Sequence, residues 1–254
     1  MEFLFYIFLL LCLYSYFVYP LILKAIPVRK PGEADAAMDG LRTLSLIITV
    51  HNEEERIREK LENTLALDYP REHLEVIVAS DYSTDTTDSI VESYADRGIK
   101  LVRADQRKGK EYAQLCAIRE ARGGILVFSD VATTIPPEAM QNLAVAFDDS
   151  RVGALSSEDR FVSQDGRVAG EGAYVRYEMW LRRLESDRAG LIGLSGSFFA
   201  ARREVCEDWD IYSPSDFNTA LNCAKLGMVA LSSPEVVGIY QDVKDASLEY
   251  RRKM

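Results

Sequence analysis

Four short apolar runs in this chain, at residues 44–50, 74–79, 99–102 and 125–128, each lead into side chains that can do chemistry. The first ends in Thr49-Val50 and meets His51-Asn52-Glu53-Glu54, and the second meets Ser80-Asp81-Tyr82-Ser83-Thr84-Asp85. The third is followed by Arg107-Lys108-Gly109-Lys110 and the fourth by Ser129-Asp130. Carboxylates accept hydrogen bonds from a ribose or a base, cationic side chains neutralise a diphosphate, and oxygen ligands suit a divalent cation. A nucleoside diphosphate would use all three.

These groups need a framework. The four runs are rich in Val and Ile, as buried parallel strands are, and helical patterns lie between them. Ile57, Leu61 and Leu65 recur every fourth residue among Glu, Arg and Lys, and Asn52 and Glu55 are spaced as a capping pair. Ser83 or Asp85 can open a second helix carrying Ile90, Val91 and Tyr94. Ala113, Ala117 and Ala121 mark a third, stopped by Gly123-Gly124. The order β-α-β-α-β-α-β predicts right-handed crossovers and a parallel sheet covered on both faces. In such a sheet ligands bind beyond the carboxyl ends of the strands, where the acids and lysines fall.

Past Asp130 the alternation weakens. Pro136-Pro137 starts a helix through Phe147, and 152–155 and 198–201 read as strands. A helix over 216–225 follows. Tyr174, Tyr177, Trp180, Leu181 and Leu184 recur at helical spacing, and the aromatics among them read as core.

With 254 residues, 48% of them hydrophobic, the chain can bury a full core. A net charge of -10 argues against a broad electrostatic grip on nucleic acid. Residues 3–23 carry no charged side chain, which predicts a single membrane anchor over 1–26. Glu2, where a cleaved signal peptide would carry a cation, argues against such a peptide. Lys24, Arg29 and Lys30 follow the span, and the positive-inside tendency puts the remainder in the cytoplasm. Residues 27–43 read as a linker. Cys12, Cys116, Cys206 and Cys223 form no CxxC, and with only His51 and His73 beside them they read as core thiols, without zinc.

Several separated motifs occur in an order that resembles a known family. They are NEE at 52–54, D-x-S-x-D at 81–85, GK at 109–110, SD at 129–130, Y-x-x-Y-E at 174–178, S-G-S-F-F-A-A-R-R at 195–203 and S-D-F at 215–217. Together they are similar to the inverting glycosyltransferases of family 2. The resemblance implies an α/β GT-A domain, a Rossmann-like nucleotide-diphospho-sugar transferase, over 44–254, behind an N-terminal transmembrane helix. Its nucleotide-binding half would be 44–135 and its acceptor-binding half 136–254. Thr49, Val50 and Glu53 would line the nucleotide pocket, and Asp81 would accept from the base. Lys110 would sit by the diphosphate, and Asp130 beside the ribose and a divalent cation, Mn2+ or Mg2+. Asp216 would be the general base, and Ser195 and Gly196 would lie in the acceptor region. The resemblance also implies a UDP-sugar donor, a lipid-linked or polysaccharide acceptor and glycan-assembly partners.

The chain departs from the family pattern at three positions. Ala132 replaces the second acid of the D-x-D element, Ser215 the acid before Asp216, and Ser80 the first acid of the strand-two pair. Bland readings stand beside the functional ones. Asp81, Asp85 and Asp216 suit helix caps, and Lys108-Gly109-Lys110 suits a solvated turn. Two other functions are open to these residues. A nucleotide-sugar-binding subunit without turnover would account for Ala132, whereas a base at Asp216 favours an enzyme. A nucleotidyltransferase would carry a glycine-rich loop after the first strand, where this chain has Thr49-Val50-His51-Asn52-Glu53.

Overall fold

The computed structural model describes residues 2–30, 32, 41–162 and 173–241. Its elements begin with α1 (Glu2–Leu13), a π turn (Tyr14–Val18) and α2 (Tyr19–Ala25). Then come β1 (Leu44–Val50), α3 (Ile57–Leu65), β2 (Leu74–Ser80), α4 (Thr87–Glu92), β3 (Ile99–Arg103), α5 (Lys110–Glu120) and β4 (Ile125–Asp130). The second half holds α6 (Ala139–Ala146), β5 (Val152–Val162), α7 (Ala173–Arg188), β6 (Phe198–Arg202), α8 (Ser215–Lys225) and β7 (Val229–Gln241).

The seven strands among the described residues form one sheet in the order β3-β2-β1-β4-β6-β5-β7. The first four are parallel, as the alternation predicts, with Thr49 opposite both Ala79 and Asp130. That register brings the ends of β1, β2 and β4 level, so the groups that follow them share one edge. The sheet is not parallel throughout, because β6 runs antiparallel to both β4 and β5. β7 is a strand the residue pattern does not mark, since Ser232-Ser233-Pro234 interrupts it. Proline is tolerated there because β7 is an edge strand with an irregular register to β5.

Period-two alternation along β1 divides the core. Leu44, Leu46, Ile48 and Val50 pack with Ile57 and Leu61 of α3, Val91 of α4 and Met140 and Leu143 of α6. Ile47 faces the other way, toward Ala113 and Ala117 of α5. Small residues there let α5 lie close to the sheet, which sets where Lys110, its first residue, can reach. Phe128 stacks on Phe199 and on Trp209, with ring centroids 4.8 and 4.9 Å away, so the antiparallel part of the sheet joins the same core.

The single N-terminal helix expected over the apolar run is divided. α1, the π turn and α2 follow one another directly, and among the described residues no helix is long and apolar enough to cross a membrane. Pro20 has no N–H to give the Tyr16 carbonyl, and the Tyr177 hydroxyl of α7 donates to that oxygen instead, at 2.9 Å. This corrects the reading of the α7 aromatics as core: Tyr177 packs on Tyr16, and Trp180, 40% exposed, lies under the Lys24 ammonium. The side chain of Tyr174 lies outside the described residues. Arg188 at the end of α7 donates to the carbonyls of Lys24 and Ile26, which holds α2 against α7. In the 27–43 stretch, Arg29 and the Gly32 N–H both bond the Asp149 carboxylate.

The capping pair is also corrected. α3 starts at Ile57, and Asn52, at φ 52°, turns its side chain to accept from the Thr84 N–H. The loops after β1 and β2 are thus joined. Asn52 N–H donates to Ser83 Oγ, Glu53 N–H to Thr87 Oγ1, and Glu54 N–H to Asp85 Oδ2. Cys206 and Cys223 are buried free thiols, and burial pushes Cys223 up to about 12.

Candidate active site

An open cavity of about 310 Å³ lies at the edge where β1, β2 and β4 end. All six residues expected around a nucleotide line it, namely Thr49, Val50, Glu53, Asp81, Lys110 and Asp130. His51, Arg56, Val131 and Ala132 complete the lining.

Asp81 is 5% exposed, and its carboxylate accepts from the N–H groups of Lys108 (3.0 Å) and Gly109 (3.1 Å). The acid thereby shapes the loop that delivers Lys110. His51 Nδ1 lies 2.8 Å from the Asp81 carbonyl, in keeping with a loop-positioning role. Gly109 sits at φ 97°, ψ 175°, a conformation side-chain-bearing residues avoid. Gly109→Ala is therefore expected to lower the unfolding free energy by about 1–3 kcal/mol. Thermal unfolding in detergent would read this, and an unchanged midpoint would mean that the loop tolerates another conformation.

Lys110 Nζ donates to Asp130 Oδ1 at 2.7 Å and to the Gly196 carbonyl at 2.6 Å. Asp130 N–H donates in turn to the Ser197 carbonyl, at 2.9 Å. The 195–197 turn is thus bound to both charged groups of the cavity. Gly196 also lies near Asp216, since a methyl group added at Gly196 would lie 3.1 Å from Asp216 Oδ2. Asp216 does not line the cavity. It stands in the first turn of α8, just past that turn of chain, with Oδ1 accepting from the Phe217 N–H. Ser195 Oγ lies 2.9 Å from both carboxylate oxygens of Asp159, and its N–H donates to Ser156 Oγ.

Three participants escape the residue pattern. Arg56 clamps both Glu53 oxygens at 2.6 and 2.8 Å, and the only signal is their spacing of three. Asp159 lies within the polar run at residues 156–159. Burial raises its pKa, aided by Asp130, against the Ser195 and Ser157 hydroxyls and the charge of Arg182. Lys60, 3% exposed, donates from Nζ to Ser129 Oγ (2.7 Å) and the Thr133 carbonyl (2.6 Å). Its signal is a charge on the buried stripe of α3, between Ile57 and Thr64.

Burial pushes Lys60 down to about 7, while the Asp130 carboxylate pulls it back upward. Between that value and the ordinary 10.5 the unfolded chain binds a proton that the folded chain does not. Unfolding free energy should therefore rise with pH across this window, by up to about 1.4 kcal/mol per pH unit from this one group. Lys60→Met should remove that component, and identical pH slopes for the two proteins would contradict it.

The residues at the β4 end do not fit a divalent cation held by the protein alone. Asp130 is the one carboxylate of the Asp130-Val131-Ala132 turn, and its Oδ1 is engaged by Lys110. Lys60 places a second nitrogen beneath the turn. Among the described residues, no group of three or more His, Cys, Asp and Glu could hold a metal ion.

Residues 45–209 match the model of a family described as "Glycosyl transferase family 2". A probable glycosyltransferase of Bacillus subtilis (strain 168), YdaM, is 31% identical over 132 residues, which cover 50% of this chain and 31% of YdaM. The poly(ribitol-phosphate) β-N-acetylglucosaminyltransferase TarS of Staphylococcus aureus (strain Mu50 / ATCC 700699) is 25% identical over 178 residues, covering 69% of this chain and 30% of TarS. The chain thus spans about a third of the length of these relatives. Among solved structures, the mannosyltransferase PcManGT of Pyrobaculum calidifontis, in complex with GDP-Man and Mn2+, superposes with a TM-score of 0.75 at 27% identity. That match covers 94% of this chain and 69% of PcManGT. S. aureus TarS 1-349 with UDP-GlcNAc gives 0.60 at 20% identity, covering 82% and 60%, a likeness of fold.

Proposed function

Since the chain belongs to glycosyl transferase family 2, we propose that it moves a sugar from a nucleotide-diphospho-sugar to an acceptor hydroxyl, with inversion at the anomeric carbon. Its mixed α/β sheet has the GT-A-like fold of such transferases. One observation carries the reading: the 195–197 turn bonds Lys110 and Asp130 and lies near Asp216. A donor diphosphate in the cavity and an acceptor hydroxyl at Asp216 would meet across that turn.

In this mechanism the Asp216 carboxylate takes the acceptor proton as the oxygen attacks the anomeric carbon. The bond from that carbon to the diphosphate breaks, and the nucleoside diphosphate departs with its new charge facing the Lys110 ammonium. Thr49, Val50, Glu53 and Asp81 would hold the nucleoside, and Ser195 and Gly196 would border the acceptor. Mn2+ or Mg2+ carried on the donor's own phosphates belongs to the reading, on the strength of the Mn2+ in the PcManGT complex. This chain offers such an ion one carboxylate, that of Asp130.

A UDP-sugar donor is supported by the UDP-GlcNAc in the TarS complex, and a polymeric acceptor by TarS's name. A lipid-linked acceptor is supported by exposed apolar side chains on α8, Phe217 and Leu221, the first of them next to Asp216 in the chain. Attachment to a membrane and to glycan-assembly partners there is part of the same reading. Residues 2–25 are helical throughout, about 35 Å at the usual rise, and expose Leu4, Phe5, Phe8, Leu11 and Phe17. The cations after that segment favour the cytoplasmic side. Release of the chain by alkaline carbonate would overturn the anchor.

The deciding experiment is calorimetric binding of UDP- and GDP-sugars to the detergent-solubilised chain, with and without Mn2+, followed by nucleoside diphosphate release on the best binder. Binding with release supports the transferase. Binding without release, with membrane lipid present, supports the subunit that holds a donor without turning it over, the reading Ala132 favours.

A further inference from the structure

A lysine that is almost wholly enclosed needs a reason to be there, since burying an ammonium group is costly unless its donors are used. Lys60 projects from α3 beneath the segment that follows β4, and its acceptors are Ser129 Oγ and the Thr133 carbonyl. These two residues stand immediately before and after Asp130-Val131-Ala132, the turn that borders the cavity. Ser129 Oγ also donates to the Asp130 carbonyl at 3.1 Å, so the chain of bonds runs from Lys60 to the backbone of Asp130 itself. Three residues along α3, the Asn63 side chain donates to the Ile135 carbonyl and accepts from the Ile135 N–H, both at 2.9 Å. One helix thus pins the chain on both sides of 130–132, at 129, 133 and 135.

Resting on the transferase reading, we propose that Lys60 is a positioning residue of the donor site: it ties Ser129 to Thr133 and thereby sets the Asp130 carboxylate where a donor must bind. Lys60, from α3, bonds the residues that flank the turn, and Lys110, from α5, bonds the Asp130 carboxylate itself. The tie needs two N–H donors, which a lysine amine has whether or not it carries a charge. With Ala132 in place of a second acid, this turn has one carboxylate to place, and an error in its position has no neighbour to compensate. An ordinary buried lysine would matter to stability alone.

The test is the binding of uridine and guanosine diphosphates to the full chain, by calorimetry, in wild type, Lys60→Met, Asp130→Asn and the double variant. Lys60→Met is expected to fold and to raise the Kd of the preferred diphosphate about tenfold. In the Asp130→Asn background the same change should move Kd less than twofold, because the carboxylate it positions is gone. A folded Lys60→Met protein with wild-type Kd overturns the proposal. So does an equal tenfold loss in both backgrounds, which would mean that Lys60 acts independently of Asp130. Wild-type protein that binds neither diphosphate overturns the donor reading itself, a distinct failure. If Lys60→Met does not fold, Ser129→Ala removes one acceptor without touching a charge; a threefold rise in Kd is expected, and an unchanged Kd overturns the proposal.

Discussion

Asp216→Asn should lower the rate of sugar transfer by roughly two to four orders of magnitude, the usual contribution of a general base, while leaving the donor Kd within about twofold. The substitution is nearly isosteric. The amide keeps an oxygen that can accept from the Phe217 N–H, so the start of α8 should survive. What it loses is the basicity needed to take the acceptor proton. Donor binding should be spared because Asp216 is not among the residues that line the cavity. Transfer kinetics and calorimetric donor binding, run on one preparation, separate the two effects. Normal turnover in the variant would remove Asp216 from the mechanism, and a large loss of donor affinity would move it into the donor site.

Lys110→Ala should reduce kcat by about two to three orders of magnitude, the loss typical when one preorganised donor to a developing negative charge is removed. Two effects act in the same direction. The leaving diphosphate loses the ammonium beside it, and Asp130, whose Oδ1 now accepts from Lys110, turns its uncompensated charge toward the incoming phosphates. The Gly196 carbonyl also loses its partner, so the turn that separates donor from acceptor should loosen. Lys110→Arg should recover little, because a planar guanidinium cannot place one nitrogen between Asp130 and Gly196 as the compact ammonium does. The measurement is a paired kcat and donor Kd for both variants. A Lys110→Ala enzyme with wild-type kcat would show that the charge of the leaving group is met elsewhere.

Much of the framework is legible in the sequence, and the reason is local. Buried parallel strands must be short apolar runs, and the helices between them must carry a stripe, so residues 44–130 declare their alternation directly. The alanines of α5 announce close packing on the sheet, and that packing is present. Where the pattern fails, a local rule is overridden from far away. β7 contains Pro234 and two serines, and it is a strand only because β5 supplies a partner at the sheet edge. Asn52 has the spacing of a cap, yet it bonds across to Thr84, because the β1 and β2 loops are brought together by strand pairing. The apolar N-terminal run reads as one helix, but Pro20 and the π turn divide it, with Tyr177 of a distant helix serving the orphaned carbonyl.

The candidate site divides along the same line. Residue types and their positions after strands are enough to bring the acids, a glycine-lysine loop and Asp130 to one sheet edge, because parallel strands in register end level. That Lys110 binds Asp130 and Gly196, that Asp216 lies near Gly196, and that Lys60 bonds both flanks of the turn follow from packing between distant segments. Those pairings join residues up to 86 positions apart, which no local periodicity encodes. They arise from the packing of α3, α5 and the antiparallel strand β6 around β4, and it is this packing that turns a row of polar side chains into a site.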